Sequence, residues 1–216
     1  MAAAIADSPQ KPLLRGVSHQ VAFFIAVVGT VGLLFLATGS RDLWGAGIYG
    51  ASLSVLFGTS ALYHRIHWRP AARAWMRRLD HSAIFVLIAG TFTPLALHLA
   101  SGGTLALSLI WGGALIGILQ SLFWVHAPKA LVAILAVALG WSMIPFLADL
   151  RALLGPVGIS LVTAGGVLYS AGALVYAKKR PDPAPRVFCY HEVFHAMVVG
   201  AAICHFIAVA LVLGSA

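Results

Sequence analysis

The chain has 216 residues, of which 61% are apolar and only 9% charged, far from the roughly 25% charged residues of soluble domains. That composition excludes a freely soluble enzyme, and the length leaves no room for a second, soluble domain beside a membrane one. A net charge of +8 could suit nucleic acid, but a membrane with anionic inner-leaflet lipid accounts for it better, so membrane lipids are the expected partners and nucleic acid is not.

Windows of about 20 apolar residues, the length of a membrane-spanning helix, predict seven helices over 18–38, 43–64, 80–99, 103–123, 128–148, 154–177 and 190–214. None alternates with the period of a barrel strand. The breaks between them carry turn or charge signals, as at Gly39-Ser40-Arg41-Asp42, Ser101-Gly102-Gly103 and Pro181-Asp182-Pro183. The first segment lacks a convincing cleavage site and is read as a span, not as a removed signal peptide. Residues 1–216 are thus expected to form a single all-α domain, a seven-helix bundle in the cell's inner (plasma) membrane.

Orientation follows from the basic residues. With the N-terminus inside, the cytoplasmic side collects Lys11, Arg15, Arg65, Arg69, Arg73, Arg77, Arg78, Lys129, Lys178, Lys179, Arg180 and Arg186. Only Arg41 and Arg151 are left outside. The positive-inside rule therefore predicts a cytoplasmic N-terminus and an external C-terminus. Cys189 and Cys204 are 15 residues apart on one predicted helix, about 22 Å along its axis. They are out of disulfide reach and are expected as free thiols.

In such a chain an ionisable group inside a span is a candidate functional residue. The second predicted helix ends on the cytoplasmic side with Ser60 and His64. The third starts there with Asp80 and His81 in its first turn, and the seventh with His191 and His195. Three helix termini thus deliver polar groups to one membrane depth. His191 and His195 are spaced i,i+4, with Cβ atoms about 6 Å apart on one helix face, which suits one metal ion. Three imidazoles with an open fourth position make a catalytic-type zinc site, and Asp80 could hold the water that such a site activates. Taken singly, Asp80 would also serve as a helix N-cap or as a partner for Arg77 and Arg78. His19, His98 and His126 are read as packing or hydrogen-bonding residues, and His67 and His81 as interfacial or supporting. His205 lies roughly 20 Å along the axis from His191, too far to join.

Ser60-x-x-x-His64, "RRLDHSAIFVLIAGTFTP" and His191-x-x-x-His195, in this order, resemble the hemolysin III proteins, the bacterial branch of the progestin and adiponectin receptor (PAQR) family. The resemblance runs from the first helix to the seventh. It implies a seven-helix bundle with an inward N-terminus and a zinc ion held by His64, His191 and His195. It also implies an aspartate at the zinc-bound water, here Asp80, with the family's serine at Ser60. The family is similar to alkaline ceramidases, which implies hydrolysis of a lipid amide or ester. The rival class is a non-enzymatic membrane protein: a regulator of membrane homeostasis, a receptor, or a cytolytic, hemolysin-like protein with structural zinc.

The string His191-Glu192-Val193-Phe194-His195 also matches the H-E-x-x-H of zinc proteases. A membrane protease would need a further ligand, often from an Asp-Gly motif deep in another helix, and the chain has none. Glu192 is read instead as favoured by the helix dipole and paired with a loop arginine such as Arg186. A Ser60–His64–Asp80 hydrolase triad fits poorly, because Ser60 and His64 share a rigid helix without a nucleophile elbow. In the loop "RIHWRPAARAWMRR", Pro70 at a helix start with Trp68, Trp75 and the arginines predicts a segment lying at the cytoplasmic interface.

Overall fold

A computed structural model describes residues 11–124 and 126–214. Among the described residues seven α-helices follow one another: α1 Val17–Leu36, α2 Ser40–Arg65, α3 Pro70–Leu97, α4 Gly103–Phe123, α5 Lys129–Trp141, α6 Leu147–Lys178 and α7 Tyr190–Leu213. A single 3-10 turn, Ile144–Phe146, joins α5 to α6, and there is no strand among the described residues. By length and composition six helical stretches can cross a membrane, because the expected fifth and sixth spans fall in one stretch, Ala130–Lys178. Large apolar side chains face outward, Phe35 at 85% and Phe123 at 82% exposure, as a lipid-facing surface requires.

Three boundaries differ from expectation, each for a local reason. α3 starts at Pro70, ten residues before the apolar window, because Ala71, Ala72, Ala74 and the arginines favour helix while lowering hydropathy. Asp80 is therefore in the third turn of α3, and the N-cap is Arg69. α5 stops at Trp141, ahead of Pro145 in the 3-10 turn. α6 begins earlier than expected, at Leu147, and is broken at Gly155, whose φ of 64° and ψ of −174° are not helical. Pro156 disfavours the α-helical conformation at the residue before it, and a glycine there tolerates positive φ.

Tight helix contacts rest on small residues, the membrane alternative to a hydrophobic drive. Gly50 of α2 faces Thr30 of α1, and Gly90 of α3 faces Ser52 of α2. Tyr49, Phe85, Leu95, Ile110 and Leu213 form the innermost core. At one end of the bundle Asp42 accepts from Thr38 N and Oγ1 at 3.0 and 2.9 Å, and pairs with His98 Nε2 at 2.7 Å. At the opposite end the chain preceding α1 lies between α2 and the α6–α7 loop. Leu13 N and Leu14 N donate to Arg186 O and Val187 O at 3.0 and 3.1 Å. Lys11 Nζ donates to His64 O at 3.3 Å and to Ile66 O at 3.2 Å. Partial burial, with Arg73 and Arg15 nearby, lowers the Lys11 pKa.

Candidate metal centre

The end of α2, the third turn of α3 and the start of α7 meet as the residue order requires. His64, in the last turn of α2, and His191 and His195, one turn apart on α7, present ligand nitrogens that all lie within 4.8 Å of one another. Nε2 of His64 and Nε2 of His191 are 3.2 Å apart. Ring centroids are 4.6 Å apart for His64 and His191, 5.0 Å for His64 and His195, and 4.5 Å for His191 and His195.

This donor set fits a zinc-type ion. Nitrogens about 2.0–2.1 Å from a tetrahedral ion stand roughly 3.3 Å from each other, close to the observed Nε2 separation. His195 is buried, and its Nδ1 has no hydrogen-bond partner among the described residues, which marks a polar atom whose partner is not protein. Neutral imidazoles packed this closely favour a cation at their centre, since each offers a lone pair and only one N–H.

Ser60 and Asp80 stand beside the rings and line the same cavity. Ser60 is 2% exposed, and its hydroxyl lies 2.8 Å from His19 Nδ1. Unlike Thr59, whose hydroxyl bonds back to Val55 O at 2.7 Å, Ser60 uses its hydroxyl across the bundle. The cavity, about 200 Å³, extends from this polar end between α2, α3, α5, α6 and α7 to His205 at its far end. Its walls are apolar for most of that length, with Leu87, Ile88, Val132, Leu150 and Ile159 among them.

Two residues stand elsewhere than the sequence reading places them. Glu192 pairs with Arg15, Nε to Oε1 at 2.8 Å, not with Arg186. Its other oxygen, Oε2, accepts from Cys189 N at 3.0 Å and from the Cys189 thiol at 2.8 Å, completing a capping box at the start of α7. Burial and the Glu192 hydrogen bond raise the Cys189 pKa and keep it a thiol. With both oxygens engaged, Glu192 serves as a cap of α7. The second residue is His19. It is 3% exposed, its Nδ1 is 2.8 Å from Ser60 Oγ, and its ring lies on that of His195 at 3.8 Å and 4°. It belongs to the site. A histidine in the first turn of an apolar span, at the same membrane depth as the other three, was the signal available in the sequence.

The remaining histidines separate as geometry dictates. His81 lines the cavity, while His67 and His126 are exposed. His98 belongs to the Asp42 cluster, and His205 Nε2 is 3.1 Å from Val162 O. Cys189 and Cys204 are free.

The family profile described as "Haemolysin-III related" matches residues 8–206. A "Hemolysin-3 homolog" of Bacillus subtilis (strain 168) is 30% identical over 205 residues, covering 93% of either chain. A "Hemolysin-3" of Bacillus cereus is 36% identical over 156 residues, 71% of this chain and 68% of that protein. With six helical stretches able to cross a bilayer, this makes the chain a multi-pass membrane protein, and a plasma-membrane placement is consistent with such bacterial relatives. It belongs to the haemolysin-III family.

Proposed function

We propose that the protein is a zinc-dependent hydrolase of lipid amide or ester bonds, with His64, His191 and His195 as metal ligands and Asp80 and Ser60 as catalytic groups. The observation that carries this reading is the placement of three clustered imidazoles and a carboxylate at the polar end of an otherwise apolar cavity. When bound, the ion supplies Lewis acidity to a carbonyl and lowers the pKa of water in its open position. The Asp80 carboxylate takes the proton of the attacking water and returns it to the leaving amine or alkoxide, so that water adds across the cleaved bond. Ser60 Oγ steers the attacking water or the substrate carbonyl through a hydrogen bond. The apolar wall accepts the substrate's chain, which enters from the bilayer between α5 and its neighbours, where packing is lightest.

We further propose seven crossings, with α5 and α6 as separate spans, and a cytoplasmic N-terminus that places the metal centre on the inner face. The names of the relatives favour a second reading, a membrane-acting, hemolysin-like protein in which the metal is structural. The deciding experiment is metal content of the detergent-purified protein, followed by release of fatty acid from lipid amides and esters. About one zinc per chain is expected, lost in His64→Ala and His191→Ala. Asp80→Asn is expected to keep the metal and lose most hydrolysis. A zinc-free wild type rejects the hydrolase, and a zinc-loaded protein with no turnover on any such lipid favours the second reading.

A further inference from the structure

We infer that His19 of α1 is a positioning residue of the metal centre, acting on Ser60 and on the ring of His195; this rests on the metal-site reading above. The buried hydroxyl of Ser60 lies 2.8 Å from His19 Nδ1, within hydrogen-bond distance. The same imidazole lies flat on His195, with centroids 3.8 Å apart and planes within 4°, so one α1 side chain holds the serine and bears on a ligand ring. At 3% exposure the contact is sealed from solvent, where such a bond holds its geometry. Nothing else on α1 reaches the centre: of its residues, only His19 lines the cavity.

The rival explanation is packing, in which His19 merely fills space against His195 and Phe57. Two substitutions rank oppositely under the two explanations. His19→Phe keeps a flat ring on His195 but has no nitrogen to donate. His19→Asn puts an amide nitrogen about where Nδ1 stood and gives up most of the stacked area. The probe is Co(II) alone, added to the full metal-stripped chain in detergent, with affinity measured by chelator competition and by the visible cobalt absorption. If His19 positions the site, His19→Phe binds roughly 10- to 100-fold more weakly with an altered cobalt spectrum, the usual cost of removing such a supporting partner. His19→Asn then binds close to wild type. Ser60→Ala is expected to match His19→Phe, and combining the two adds no further loss, since they break one hydrogen bond. Wild-type affinity in His19→Phe, or weaker binding in His19→Asn than in His19→Phe, overturns the inference and leaves the metal site standing. Should His19→Phe not fold, Ser60→Ala decides alone, and wild-type affinity there overturns it equally. A wild-type chain that binds no Co(II) rejects the metal reading and this inference together.

Discussion

Arg15 and Glu192 form a charge pair that borders the histidine cluster without joining it. Their side chains are 19% and 3% exposed, and the pair bridges the segment before α1 to the first turn of α7. A second Arg15 nitrogen reaches Cys189 Sγ at 3.2 Å, so the cap of α7 and the N-terminal segment form one network. Removing one partner strands the other. Arg15→Met is therefore expected to destabilise by about 3–5 kcal/mol, as broken buried pairs do, because it leaves the Glu192 charge uncompensated. Adding Glu192→Gln should recover part of that loss, by removing the stranded charge. A denaturation series in mixed micelles measures the cycle, and additive single losses would disprove the coupling. Glu192→Gln alone should leave metal binding largely in place, whereas a protease base would be indispensable for any activity.

At the scale of elements, the fold depends on where the backbone leaves helical geometry. Gly16 ends the N-terminal segment at φ 75°, and a Cβ there would stand 2.7 Å from His64 Cβ. Gly155 has φ 64°, but a Cβ there would meet nothing within 4 Å. Alanine at either position carries the left-handed penalty of about 1–2 kcal/mol. Only Gly16→Ala should also push on a ligand, so it is expected to weaken metal binding while Gly155→Ala does not. Equal metal affinities in the two variants would refute that distinction. The helical extension Pro70–Leu79 illustrates what a hydropathy window misses. Its arginines hide a continuous helix, on which Arg78 Cζ lies 4.5 Å from the Trp75 ring centroid and Trp75 is 58% exposed, as an interfacial anchor would be.

For the whole molecule, connectivity makes alternating ends. The α1–α2 turn, the α3–α4 turn and the 3-10 turn lie at one end, where the ring of Phe146 faces Gly102 and His98 meets Asp42. The three-histidine cluster and the Lys11–Gly16 segment lie at the other. In a cysteine-free background, single cysteines at Arg69 and His126 should be labelled by a membrane-impermeant reagent only from the cytoplasm, and those at Ser101 and Arg151 only from outside. Labelling of His126 and Arg151 from the same side would reject separate α5 and α6 crossings.

Composition, hydropathy and three short motifs were enough for the class of protein, the helical architecture and the ligand candidates His64, His191 and His195. These are properties of local spacing: about 20 apolar residues make a span, and i,i+4 places two side chains on one face. The lengths of α3, α5 and α6 were less legible, because helix continues through polar residues and breaks at a Gly-Pro step, neither of which hydropathy registers. The partner of Glu192 could not be read from the chain, and for His19 only its depth in the first span was legible, not its contact with Ser60. Arg15 is 177 positions from Glu192, and His19 is 41 from Ser60, so no local rule links them. Only the packing of α1 against α2 and α7 decides which buried polar groups meet, because inside a bilayer each must find its partner within the fold.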